Sequence, residues 1–119
     1  MAYVDGFVIP VPKDKLEAYK KMSLECGAVW KEYGALEFRE TVADDAPPGK
    51  LTSFPQSVLL EEGEVVVFSW IVYESRAKRD EVNDKVMKDP RLIAYMESNS
   101  MPFDGKRLIF GGFEMIVDL

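Results

Sequence analysis

The strongest apolar pattern in this chain is the run Val65-Val66-Val67-Phe68-Ser69-Trp70-Ile71-Val72-Tyr73. β-Branched and aromatic residues dominate it, and such side chains suit a pleated strand. Alternate residues of a strand face opposite sides. Val65, Val67, Ile71 and Tyr73 therefore share one face, and Val66, Phe68, Trp70 and Val72 share the other. Both faces are apolar, so both need cover.

The same periodicities place the elements around it. Tyr3 to Ile9 alternates as a strand with Tyr3, Asp5, Phe7 and Ile9 on one face. Asp5 is the odd member there, a carboxylate among large apolar neighbours. Pro10-Val11-Pro12 is expected to end this strand, because proline removes a ladder donor. From Lys13 to Tyr33 the spacing turns helical: Leu16, Tyr19, Met22, Cys26, Val29, Trp30 and Tyr33 recur every three or four residues. Gly34 then supplies a left-handed stop. Leu36 to Val42 reads as a strand with Leu36, Phe38 and Val42 on one face and Glu37, Arg39 and Thr41 on the other. Glu40 interrupts its apolar face, which suits a sheet edge.

Residues 43–57 carry too many prolines for regular structure, and Phe54-Pro55 is the expected anchor of that loop. After the apolar strand, Ser75 is placed to cap a helix from Arg76 to Met87. Ala77 and Arg79 lead into its stripe of Val82 and Val86. Asp89-Pro90 opens a shorter helix with Leu92, Ile93, Tyr95 and Met96, which Ser98-Asn99-Ser100 should end. Asp104-Gly105 marks a tight turn. The last strand is expected from Arg107 to Val117, with Gly111-Gly112 forming a bulge or admitting a close approach.

The order strand, helix, strand, strand, helix, strand predicts an α+β fold of the ferredoxin-like type, βαββαβ. It forms one domain over residues 1–119, with a four-stranded antiparallel sheet and helices on one face. Two helices cover one side only. The other would expose a contiguous apolar patch, which soluble monomers rarely do. Burying each Phe or Trp there is worth about 1.5–3 kcal/mol. A homodimer with two sheets face to face is the expected assembly.

Composition removes several classes of function. A formal charge of −6 argues against binding nucleic acid, which depends on neutralising phosphates. The chain has no histidine, so the commonest metal ligand, general base and haem ligand are all missing. No metal and no cofactor are expected. Cys26 is the single cysteine and lies in the apolar stripe, so an internal disulfide is impossible and a cytoplasmic location is expected. No apolar run approaches the roughly 18–20 residues that span a bilayer, and no membrane association is expected.

Several stretches resemble one family. The run MPFDGKRLIFGGFE from Met101 to Glu114, the opening YVDGFVIPVP, the central VVFSWIVYESRAKRD and KDPR at Lys88 to Arg91 are similar to the uncharacterised YbaA-like family of bacterial proteins. The resemblance covers essentially the whole chain. It implies a ferredoxin-like domain of the dimeric α/β-barrel type and no particular activity. That wider group includes cofactor-free monooxygenases, muconolactone-isomerase-like enzymes and haem-dependent chlorite dismutases, and shared fold alone is weak evidence of function.

The candidate site residues are polar or aromatic side chains on these strands. Asp5 and Arg39 are either a buried or interfacial ion pair or part of a site in which Arg39 binds an anionic ligand. Phe68 and Trp70 form an aromatic wall or an interface core. Phe103 and Asp104 either close a pocket mouth or, with Arg107, stabilise the turn. Two functions remain open. One is binding or transforming a small hydrophobic or aromatic molecule, anionic if Arg39 meets it. The other is a noncatalytic homodimeric module that docks a protein through residues 43–57. A cavity containing Asp5 or Arg39 favours the first; a filled core with Thr52-Ser53-Phe54 exposed favours the second.

Overall fold

The computed structural model describes residues 1–98 and 101–119. Four strands form one antiparallel sheet: β1 (Tyr3–Pro12), β2 (Glu37–Val42), β3 (Glu64–Tyr73) and β4 (Ile109–Glu114), in the spatial order β2-β3-β1-β4. The first and third strands are central, as a βαββαβ order requires. Helix α1 (Leu16–Tyr33) follows a short 3-10 turn at Lys13–Lys15; α3 (Arg76–Met87) and α4 (Pro90–Glu97) lie between β3 and β4 in sequence.

Register fixes which side chains share a face. Asp5 lies opposite Ile71, Gly6 opposite Trp70 and Val8 opposite Phe68 across β1 and β3. Phe38 lies opposite Ile71 and Arg39 opposite Trp70 across β2 and β3. Val67, Ile71 and Tyr73 therefore point to the helix layer, where they pack with Val29, Val82, Val86, Val11 and Tyr19. Val66, Phe68, Trp70 and Val72 point the other way, so β3 is apolar on both sides.

Three features depart from the sequence pattern. First, β1 does not stop at Ile9; it continues through Pro10, Val11 and Pro12, opposite Val66, Val65 and Glu64. The partnership of β1 with β4 ends at Val8. Lys13 donates its N–H to Gly63 and Ala2 accepts from Met115, so odd positions turn their backbone toward β3 and even ones toward β4. The missing donors of Pro10 and Pro12 thus face a side where no strand is paired.

Second, residues 43–57 are not wholly irregular. A single turn, α2 (Phe54–Ser57), forms behind Ser53, whose hydroxyl accepts from the Gln56 N–H. The anchor is Val58 rather than Phe54-Pro55. Val58 is fully buried against Val8 and Val66 on the face opposite the long helices, whereas Phe54 stays half exposed with its ring 5.7 Å from that of Phe68. Proline-rich chain needs one apolar plug more than it needs regular structure.

Third, β4 is shorter than expected and carries no bulge. Gly111 and Gly112 keep a regular register with Gly6 and Asp5. A Cβ on Gly112 would fall 2.7 Å from Cε2 of Tyr3, so the glycine admits a neighbouring ring. Arg107 and Leu108 stay out of the strand because Arg107 is engaged elsewhere, as described below.

The helix ends follow from capping. Gly34 adopts a φ of 123° and its N–H bonds carbonyls of the last turn of α1. Ser75 accepts from Lys78 N–H at 3.1 Å. Asp89 accepts from Arg91 N–H at 2.9 Å and closes the joint between α3 and α4. It also takes the Tyr33 hydroxyl at 2.8 Å and both ends of the Arg91 guanidinium. Ser98 is the C-terminal cap of α4; Asn99 and Ser100, expected to share in ending that helix, lie outside the described residues.

Asp89 yields a pH prediction. Hydrogen bonds from Arg91 hold its carboxyl far below the usual carboxylate range. A depressed folded pKa gives stability that is present above the unfolded value, 3.8, and lost as pH falls through the folded one. Asn still caps a helix, so Asp89→Asn isolates the charge. Thermal melts should show the variant less stable than wild type at pH 7, with the gap narrowing steadily below about pH 4.

Candidate functional site

A cavity of about 380 Å³ lies between the sheet and the helix layer. Helix α1 lines it with Met22, Cys26 and Trp30, and α4 with Leu92 and Tyr95. Phe7 and Ile71 form the centre of its sheet floor, and Phe103 closes one side with its ring edge-on to Tyr19 at 5.8 Å. The walls are largely apolar. Two polar groups interrupt them, one at Asp5 and one at Glu40.

Asp5 is 6% exposed. It faces the helices because odd positions of β1 do, and there it meets Arg79 of α3. Arg79 Nη1 donates to Asp5 Oδ1 at 3.1 Å, and Nη2 donates to the Tyr3 hydroxyl at 3.2 Å. Nearby, Asn83 Oδ1 accepts from Trp30 Nε1 at 3.2 Å and from the Tyr73 hydroxyl at 3.3 Å. Burial pushes the Asp5 carboxyl up; Arg79 and then the Tyr73 and Asn83 side chains pull it back, and burial wins. Tyr73 is pushed up as well, by burial first and by the Asp5 charge second. Arg79 Nε lies 3.0 Å from Asp80 Oδ1, yet this buried donor makes no aligned hydrogen bond.

The partner of Asp5 is therefore Arg79 and not Arg39. Arg39 stands opposite Trp70 on the other face of the sheet, with Glu37 at 3.8 Å and most of its side chain exposed. Alternation alone separates the two residues once the register is known. The signal for Arg79 was in the sequence, since Arg79, Val82 and Val86 recur at helical spacing and the first is charged.

The other candidates divide into three groups. Phe103 joins Asp5 at the cavity. Phe68 and Trp70 lie together on the open face, ring centroids 5.6 Å apart, so their side chains point away from the cavity. Asp104 and Arg107 form a clamp elsewhere. Arg107 grips Glu64 with two hydrogen bonds at 2.7 and 2.6 Å, takes Asp104 at 2.9 Å and donates to the Leu59 carbonyl at 3.1 Å. This clamp ties the lead-in of β4 to the start of β3, and the Arg107 hydrogen bonds hold the Glu64 carboxyl below its ordinary value. Among the described residues no group of three or more Cys, Asp or Glu side chains is placed to hold a metal ion.

The arrangement can enclose a small apolar molecule and offer it hydrogen-bonding groups from a mostly satisfied polar network. Asp5→Asn and Arg79→Met test that network. Removing one member leaves the other charge buried, so each single variant should lose about 3 kcal/mol in urea denaturation. The double variant should recover part of that loss. Strictly additive losses would show that the two side chains do not interact.

The model of a family described as a protein of unknown function, DUF1428, matches residues 2–105. The uncharacterized protein YbaA of Escherichia coli K12 is 53% identical over 118 residues, 99% of each chain. Among solved structures, a NIPSNAP family protein of Agrobacterium tumefaciens is 18% identical with a TM-score of 0.63, over 96% of this chain and 92% of that one. An uncharacterized NIPSNAP domain protein of Burkholderia xenovorans is 14% identical with a TM-score of 0.57, over 95% and 93%. Rv0793 of Mycobacterium tuberculosis is 13% identical with a TM-score of 0.51, over 99% and 98%. These structures share the ferredoxin-like fold. The expected kinship with YbaA and the expected fold class are both borne out.

Proposed function

The chain belongs to the DUF1428 family, and we propose that this member is a homodimer that holds a small hydrophobic or aromatic molecule between its sheet and helices. The observation that carries this reading is the cavity. Ligand sites are concave, largely apolar and furnished with few polar groups, and a void of about 380 Å³ bordered by Asp5, Arg79 and Asn83 has that character. The competing reading, a docking module built on residues 43–57, is supported by Leu51, which is 96% exposed. The unfilled interior favours the ligand.

The dimer rests on the other face of the sheet. Phe68, Ile109 and Phe113 are 42%, 46% and 61% exposed there, beside Trp70. Gly6 pairs with Trp70 on one side and Gly111 on the other, and a Cβ on Gly6 or Gly111 would fall 3.9 or 3.6 Å from Phe113 Cε1, so the Phe113 ring lies over this glycine pair. Two copies related by a two-fold axis present the same rings to each other. Cover from a second copy would remove the exposed apolar patch.

Sedimentation equilibrium tests the assembly: wild type should be a dimer, and Trp70→Asp should yield folded monomers. A wild-type monomer at high concentration would end the dimer reading. Calorimetry with 2-naphthylmethanol tests the cavity. Wild type should bind it, and Met22→Trp, which fills the void, should weaken binding at least tenfold while the fold survives. Equal binding by both would place the ligand elsewhere.

A further inference from the structure

The inner cavity has a second hollow beside it. Between α1 and the free edge of β2 runs a groove of about 590 Å³. Tyr19, Ser23, Phe38 and Glu40 border both this groove and the inner cavity, so they form the partition between the two. Glu40 sits there because it interrupts the apolar face of β2, two residues along from Phe38.

Its carboxylate is held by hydroxyls and not by a cation. Tyr19 donates to Oε2 at 2.8 Å, and Ser23 donates to Oε1 at 3.2 Å. Both donors are buried on α1. The Glu40 residue as a whole is exposed at the sheet edge, but its carboxylate turns inward to these partners. Burial pushes this carboxyl up, and the two hydroxyls offset only part of the rise. A carboxylate offers about four lone-pair sites, and two are taken. Among the described residues no Lys or Arg lies within ion-pair distance of it. The contrast with the other inward-facing acids is sharp: Asp5 has Arg79, Glu64 has Arg107 and Asp89 has Arg91.

The surroundings suit a cation bound to a ring. Phe38 packs against Trp30 with centroids 5.9 Å apart, and Tyr19 against Phe103. Aromatic faces attract ammonium groups, more strongly where water is excluded. An anion seated at this partition would face the Glu40 charge, which only hydroxyls offset. A neutral ring would gain apolar burial but leave the remaining carboxylate lone pairs without a donor.

We propose that the cavity takes a ring-bearing amine, entered through the groove between α1 and β2, with its ammonium on the Glu40 carboxylate and its ring among Phe38, Trp30 and Phe103. This rests on the reading that the cavity holds a small apolar molecule, and adds the charge and orientation of that molecule. The groups facing Glu40 are Tyr19 and Ser23 from α1 and Ser69, its opposite residue in β3; Glu17, Lys20 and Lys31 line the groove outside.

Titration calorimetry with three probes of one size separates the possibilities: 2-naphthylmethylamine, 2-naphthylmethanol and 2-naphthoate. Wild type should bind the amine at least tenfold more tightly than the alcohol. Glu40→Gln should erase that preference by weakening the amine far more than the alcohol. Tyr19→Phe, which keeps the carboxylate, should retain it. In wild type the preference should shrink as pH falls and the carboxylate is protonated, and this arm decides the matter even if Glu40→Gln does not fold. Equal binding of amine and alcohol, a preference that survives in Glu40→Gln or at acid pH, or tightest binding of the naphthoate overturns the amine while the cavity reading stands. Binding of none of the three removes both.

Discussion

A strand with oily side chains on both faces is the constraint to which the rest of this fold answers. Every second residue of β3 is covered by α1, α3 and α4, and the intervening ones depend on something else. One end of that second row is sheltered by Val58, carried in by the turn α2. Phe68 meets the Phe54 ring of the same turn, 5.7 Å away, yet stays 42% exposed. The proline-rich segment is thus less a linker than a partial lid, and the incompleteness of that lid is the strongest argument for a second copy of the chain.

The helix side poses the opposite problem. Asp5 puts a carboxylate into the middle of the sheet, where apolar side chains would otherwise close the gap. Its company is made of long polar residues on separate elements: Arg79 and Asn83 from α3, Tyr3 from β1 and Tyr73 from β3. Such a network fixes where α3 lies over the sheet, because each hydrogen bond has a narrow range of lengths. The helices are set over the sheet by directional contacts at one end and by valines at the other, and a void remains between. A core of valine and leucine alone would have shrunk onto itself.

Most of the architecture was legible in the chain. Period-two and period-three-to-four patterns placed all four strands and the three long helices, and Ser75, Asp89 and Gly34 marked helix boundaries for the reasons capping gives. What was not legible depends on register, which a single sequence does not contain. Asp5 and Arg39 both interrupt strands and carry opposite charges, yet the pairing of β1, β3 and β2 sends them to opposite faces. Arg79 was visible as a charged residue leading an apolar stripe, and its target was not. Glu40 was noticed as a flaw in an edge strand; that its carboxylate would meet Tyr19 and Ser23 depends on how α1 lies across the sheet. At Gly27 a Cβ would fall 2.6 Å from the Phe38 ring, so that approach is close. The prolines of β1 misled because a central strand forbids them only where both sides are paired.

That last point reaches beyond the single chain. Past Val8 the β4 side of β1 has no strand beside it, and an unfilled sheet border is where stray chains stack and fibrils seed. Pro10 and Pro12 withhold hydrogens from that border in alternate positions, so an incoming strand finds acceptors but no matching donors. The sheet can therefore be broad and greasy without inviting edgewise polymerisation at this corner.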